Sequence, residues 1–285
     1  MASLVPEIAI EEAVGVEHVH GDPARRRRPR LRVWRGVVLF LAGVYFLLPL
    51  YAGVKFSLEN DNNQLSLYAI KAMPAQTGFT AAFLLSLRLA AVTTVLTMVL
   101  MVPTAVYVHL KMPRMRRVLD FVTILPIVIP PIVLILGVLD AAPLRLRSSP
   151  YLLSLVYVIL SLPFVYRSLD AGLSAIDLKT LVEASRSLGG RWLSTLWHVL
   201  IPNLRAAMLS AIVLTIALVL GEFTMAQLDL WTTFPVWIYQ FSQLDGHIAT
   251  AASMISLIGT WLLLSLLVSV DRSQSRRRRR RIGAL

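Results

Sequence analysis

The sequence predicts an all-α polytopic membrane protein of six spanning helices. Three observations carry that expectation. The 285 residues are 56% hydrophobic and only 15% charged, with a mean hydropathy of +0.69, whereas a soluble domain carries about 25% charged residues. The apolar residues gather into six runs near the spanning length of about 17–25 residues. No run alternates as a barrel strand does, and backbone groups in lipid must bond internally, so runs of this length read as helices.

The chain opens with residues 1–30, mixed and acidic at Glu7, Glu11, Glu12 and Glu17 before an arginine run, without a sustained apolar face. This segment reads as a disordered tail. The spanning domain is expected over residues 31–271, with spans near Val33–Phe56, Ala81–His109, Val118–Leu139, Tyr151–Arg167, Leu204–Gln227 and Ile248–Val270. The first run is longer than the apolar region of a signal peptide and lacks a small-residue cleavage site, so it reads as a span. Pro49, Pro103, Pro126, Pro130, Pro131 and Pro163 mark candidate kinks. An arginine-rich tail, residues 272–285, closes the chain.

Orientation follows from where the cations fall. Of 28 Lys and Arg, seven flank the first span (Arg25–Arg28, Arg30, Arg32, Arg35) and seven follow the last (Arg272, Arg276–Arg281). Four lie between the second and third spans, at Lys111, Arg114, Arg116 and Arg117. Five more, Arg167, Lys179, Arg186, Arg191 and Arg205, lie in or beside the long connection after the fourth span. The other side holds Lys55, Lys71, Arg145 and Arg147. The positive-inside rule therefore places both termini and the long connection in the cytoplasm. Arginine runs directly beside membrane helices read as anchors on anionic headgroups, not as a nucleic-acid site, because no aromatics interleave them.

That long connection is the informative stretch. Leu178, Leu181, Val182, Ser185 and Leu188 share one helical face, and Lys179, Glu183 and Arg186 share the other. Gly189 and Gly190 stop this helix. A second amphipathic piece follows, with Trp192, Leu193, Leu196, Trp197 and Leu200 on one side, and Pro202 suits the first turn of the next helix. The expected shape is a helix–turn–helix lying on the cytoplasmic face.

Here the residues resemble a known family. Glu183-Ala184-Ser185, three residues, Gly189, nine residues, then Val199-Leu200-Ile201-Pro202 is similar to the EAA loop of the membrane subunits of ABC importers, whose pattern is Glu-Ala-Ala, three residues, Gly, nine residues, Ile-x-Leu-Pro. Ser185, Val199 and Ile201 depart from it while keeping size or apolarity. The resemblance covers roughly Ala81 to Val270, with the loop at about 169–203. It implies a type I importer bundle and a docking role for Glu183, Ala184, Ser185, Gly189 and Pro202. It also implies partners: two ATP-hydrolysing subunits, a second permease subunit, most simply a different chain, and an extracytoplasmic binding protein, all assembled at a bacterial inner membrane. ATP hydrolysis is expected on the partner chains.

The chain itself offers no enzyme chemistry. It has no Cys, no P-loop, no H-E-x-x-H and no G-x-S-x-G. His109, His198 and His247 are scattered, and neither a metal nor another cofactor is expected. Charges near the membrane interior are more telling. Arg88 reads as snorkelling to the external interface. Glu222, Asp229 and Asp245 are candidates for a substrate path that steers a cation. "GEFT" with "TTFPVWIYQ" resembles the polyamine branch of the family, with ferric iron, thiamine and aminophosphonate importers as neighbouring alternatives. An ion-coupled carrier is the more distant alternative; it would show internal repeats and midplane charges.

The orientation can be checked directly, because the chain has no native Cys. A cysteine at Ser149 should react with an impermeant maleimide in intact cells. One at Ser187 should react only after permeabilisation.

Overall fold

In a computed structural model, the structure describes residues 30–59 and 64–282. The expectations for residues 1–29 and for the last three residues fall outside the described residues. The chain divides into two units, Met1–Pro49 and Leu50–Leu285. Among the described residues the regular structure is helical, apart from a single isolated β-bridge between Glu59 and Leu65.

Helix α1, Arg30–Ser57, carries the unit boundary, and its described side chains up to Pro49 are nearly all exposed. The second unit continues with α2 (Tyr68–Ala72), a 3-10 turn (Met73–Ala75), α3 (Phe79–Lys111), α4 (Met115–Val128) and α5 (Pro131–Ala141). Next come α6 (Leu144–Arg147), α7 (Tyr151–Ser174), α8 (Leu178–Ser187), α9 (Trp192–Thr195) and a π turn, Leu196–Leu200. Helices α10 (Ile201–Gly221), α11 (Thr224–Leu228), α12 (Phe234–Ser242) and α13 (Gly246–Ile282) complete the chain.

Among the described residues, five helical runs are long and apolar enough to cross a membrane, and the bent pair of α4 and α5 makes a sixth where it counts as one span. The continuous third span expected from sequence is therefore corrected: α4 and α5 meet at 98°. Pro130 and Pro131 cause the break. A residue before proline is pushed out of the helical region, and Ile129 is extended at φ −80°, ψ 122°. Two adjacent prolines also remove two N–H donors that a helix would use. By contrast, Pro49, Pro103, Pro126 and Pro163 lie inside helices. The fourth span is longer than expected and runs to Ser174. The fifth stops at Gly221, not Gln227, because the chain turns at Glu222. Helix α13 runs past the expected span end to Ile282.

The second unit packs in three layers along its length. At the end that carries α8, Met101, Val106, Tyr166, Leu169, Leu200 and Leu204 are buried together. The middle layer joins Leu89, Ile135, Leu153, Tyr157, Met225 and Val236. At the far end Ala82, Phe234, Trp237, Ile248 and Ala252 close against each other. Since lipid is as apolar as Leu, close approach and interhelical polar contacts have to hold such helices together. Both are present. Thr97 Oγ1 and Ser161 Oγ are 3.2 Å apart between α3 and α7. Gly172 of α7 lies so close to α10 that a Cβ there would sit 2.4 Å from Ala207 Cβ.

Gly172→Leu should therefore lower the thermal midpoint in detergent, matching an overpacking cost of about 1–3 kcal/mol. Gly137→Ala, where nothing lies within 4 Å of the added Cβ, should not lower it, since alanine favours the helix over glycine.

Candidate functional site

Helix α8 is short and strongly two-faced. Asp177 caps its start, its carboxylate accepting from Thr180 N–H at 3.2 Å and from the Thr180 hydroxyl at 2.7 Å. Those bonds hold the Asp177 carboxyl below the usual range. Leu178 and Val182 are buried in the core of the second unit. Lys179, Glu183, Ala184 and Arg186 are exposed on the other face, and Lys179 Nζ lies 3.9 Å from Glu183 Oε1.

The helix ends as the sequence required, and for a stricter reason. Gly189 has φ +81°, a conformation costing other residues about 1–2 kcal/mol. Gly189 N–H donates to Arg186 O and Gly190 N–H to Ser185 O, each at 2.9 Å, the double closure typical of a helix ending in glycine. Gly190 has its own constraint: a Cβ there would meet Ser185 Oγ at 2.5 Å and Ser185 O at 2.7 Å. Ser185 bonds Thr195 Oγ1 at 2.8 Å, tying α8 to α9.

Two details of the expected faces are corrected. Leu188 is 89% exposed, because it lies beyond the last turn of α8. The second piece does not keep one apolar face. Leu196 and Leu200 are buried, while Leu193 and Trp197 are exposed, because a π turn spans Leu196–Leu200 and changes the angular spacing. Pro202 occupies the first turn of α10 as expected.

Beneath α8 lies a cavity of about 420 Å³, lined in part by His109, Lys111, Arg116, Lys179, Arg186 and Trp192. Arg116 Nη2 donates to Asp170 Oδ1 at 2.8 Å and to Ser174 Oγ at 2.9 Å, joining α4 to α7. His109 Nε2 of α3 stands 3.0 Å from the same Asp170 oxygen. This polar junction was not foreseen from the sequence; its members lie on three separate elements.

At the opposite end of the second unit lie the three carboxylates. Glu222 ends α10 and caps α11. Its Oε1 accepts from Met225 N–H at 2.8 Å, and its Oε2 accepts from Ala226 N–H at 3.3 Å and from the buried Tyr157 hydroxyl at 2.8 Å. Asp245 Oδ1 accepts from Ile248 N–H at 3.0 Å and caps α13. Burial raises the Asp229 carboxyl to about 6. Arg88 is exposed on α3. Among the described residues no three His, Cys, Asp or Glu side chains are grouped to hold a metal ion.

Such a bundle, with a bent helix pair and a two-faced helix between two spans, is that of an all-α polytopic membrane protein. Residues 101–281 match the family of binding-protein-dependent transport system inner membrane components, and the chain belongs to that family. It is a permease subunit of an ABC importer. It is 30% identical over 275 residues to a probable molybdenum ABC transporter permease protein of Haloferax volcanii, covering 87% of this chain and 97% of that one. The molybdenum transport system permease protein ModB of Mycobacterium tuberculosis is 31% identical over 196 residues, 62% of this chain and 74% of the relative. A putative 2-aminoethylphosphonate transport system permease protein, PhnV of Salmonella typhimurium, is 29% identical over 160 residues, 54% of this chain and 60% of that one. The fold matches a crystal structure of a bacterial ABC transporter involved in the import of the acidic polysaccharide alginate, with TM-score 0.69 and 16% identity, covering 87% of this chain and 99% of that chain.

The polyamine branch is thereby corrected: these relatives carry molybdenum and aminoethylphosphonate in their names, not polyamines. The carboxylate of "GEFT" has three donors within the chain.

Gly189→Ala should destabilise the turn by about 1–2 kcal/mol. Tryptic cleavage at Arg191 in detergent should accelerate, while cleavage at Arg114 stays unchanged.

Proposed function

We propose that this chain forms one half of the translocation path of an oxyanion importer, and that α8 seats in a cleft of an ATP-hydrolysing subunit. The observation that carries the docking is the geometry of α8. Its inner face is anchored by Leu178 and Val182, while Lys179, Glu183 and Arg186 stand outward beside an exposed Leu188. A helix fixed to the spans on one side and open on the other can convert movement of a partner into rigid-body movement of the bundle. Glu183, Ala184, Ser185, Gly189 and Pro202 are its functional residues.

The arginine distribution supports an orientation with α8 and both termini in the cytoplasm. Residues 31–271 then form the permease domain, with tails on either side. Six spans enclose little by themselves. A second permease subunit, two ATPase subunits and an external binding protein complete the assembly, and ATP is hydrolysed on the partners.

For the cargo, the favoured reading is molybdate, the tetrahedral dianion in which molybdenum travels in water. Its support is the match along 97% of the Haloferax volcanii relative. Glu222, Asp229 and Asp245 then frame the external mouth and do not attract the cargo. A 2-aminoethylphosphonate cargo is the second reading, supported by a relative covered over 60% of its length.

The test is co-purification of the complete importer from cells, followed by ATP hydrolysis and uptake in proteoliposomes. Wild type should bring down its ATPase and import molybdate. Reversing a charge buried in an interface costs about 2–5 kcal/mol, so Glu183→Arg should weaken ATPase capture more than about tenfold, and Gly189→Pro should abolish it. Normal capture and coupled hydrolysis in both variants would contradict the docking. Uptake of 2-aminoethylphosphonate without molybdate would move the cargo to the second reading.

A further inference from the structure

The end of the second unit opposite α8 carries a hairpin that no spanning helix contains. Helix α10 stops at Gly221, α11 covers Thr224–Leu228, the chain turns, and α12 covers Phe234–Ser242. Helix α11 is five residues long, too short to hold itself together without tertiary contacts. Yet Met225 and Ala226 are 0% exposed and pack in the layer that includes Ile135 of α5. The hairpin is thus seated against the second half of the broken span.

Few polar contacts secure that seat. Phe234 N–H donates to Ser86 Oγ of α3 at 2.8 Å, and Trp237 Nε1–H donates to Thr77 O at 3.0 Å. These hold α12. Helix α11 depends on Glu222. One carboxylate receives two α11 N–H groups and the Tyr157 hydroxyl of α7, the last at 2.8 Å. Tyr157 is 1% exposed and packs in the same layer. A bond between a hydroxyl and a carboxylate in such a surround is among the stronger hydrogen bonds. It joins α7, the end of α10 and α11 through one side chain.

The rest of the hairpin is less settled. Leu230 adopts φ +60° without being glycine. Gln227 Oε1, Asp229 Oδ2 and Thr233 Oγ1 are buried with no hydrogen-bond partner in the chain. A hairpin with a positive-φ turn, held to its neighbours by a few side-chain bonds, is a candidate for rigid-body switching between packed arrangements.

We propose that Glu222 and Tyr157 form the latch that positions the α11–α12 hairpin at the external mouth, and that this pair sets how strictly ATP turnover depends on the loaded binding protein. The inference rests on the orientation given under Proposed function. Both are positioning residues: they hold the hairpin through α11 and touch no cargo. With the latch made, the mouth stays closed until the binding protein docks. With it broken, the hairpin leaves its seat spontaneously and the assembly cycles without cargo.

The test uses the complete importer in nanodiscs, with Tyr157→Phe, Glu222→Gln and the double variant. A hydrogen bond to a charged group contributes enough for about a tenfold shift in an equilibrium. Each single variant should raise ATP hydrolysis without binding protein and cut the stimulation by binding protein about tenfold. The double variant should be no worse than the worse single, because both remove one contact. In parallel, Ala226→Cys, buried in the latched seat, should react with a maleimide about tenfold faster when combined with Tyr157→Phe. Unchanged stimulation and unchanged Ala226→Cys labelling in the Tyr157→Phe background would overturn the latch, as would additive effects in the double variant. Tyr157→Phe removes a single oxygen and keeps the ring, so it decides the question even if Glu222→Gln fails to assemble. Leu230→Cys, at an 86% exposed position, reports orientation separately: labelling only from the cytoplasmic side would overturn the orientation, whatever the latch does.

Discussion

A backbone N–H or C=O left without a partner away from water is costly, and several helix ends among the described residues are organised around that cost. At the end of α10 the Glu222 carboxylate accepts two N–H groups of the next helix. The first N–H of α12 finds Ser86 on a different span. Between α4 and α5 the solution is subtraction: Pro130 and Pro131 have no N–H to satisfy. Beyond Ser187 the glycine pair closes the last carbonyls of α8. The irregular segments are thus as determined as the helices.

One apolar helical run of 30 residues, Trp192–Gly221, starts beside the docking turn and ends at Glu222. At its start, Thr195 bonds Ser185 of α8. At its end, Glu222 bonds α11 and Tyr157. A packed helix transmits displacement and does not absorb it, because close-packed interiors are stiff. Under the docking proposed above, movement of α8 and movement of the α11–α12 hairpin share one helical run. The π turn at Leu196–Leu200 is the softest point on that line, and it lies next to the docking side. The polar junction of His109, Arg116 and Asp170 braces three other helices near the same level.

Much of this was legible in the sequence, because hydropathy, charge placement and glycine act locally. The spans, the two-faced α8 and the stop at Gly189 follow from residue types at fixed spacing. The 98° break was half legible: two adjacent prolines marked it, but four other prolines sit inside helices without breaking them. Asp177 as a cap was readable from its place just before an amphipathic run. The partners of Ser185, Glu222 and Phe234 were not readable, since Thr195, Tyr157 and Ser86 are chosen by tertiary packing. For the same reason the sequence offered Glu222 as a candidate for steering a cation and did not show the bonds its oxygens accept. Cargo identity was also out of reach, because the residue types of Glu222, Asp229 and Asp245 do not show whether they serve a helix end or a cargo.

The central claim is that α8 is the surface on which an ATPase acts. Its most direct test is site-specific cross-linking in the assembled importer, using a single cysteine at Leu188, 89% exposed beside the glycine turn, and a control at Leu244, 80% exposed at the far end of the second unit. The account predicts that Leu188→Cys cross-links to the ATPase subunit in high yield, with a yield that changes when ATP is added, and that Leu244→Cys does not. An ATPase cross-link at Leu244→Cys, or none at Leu188→Cys in an assembly that still hydrolyses ATP, would contradict it.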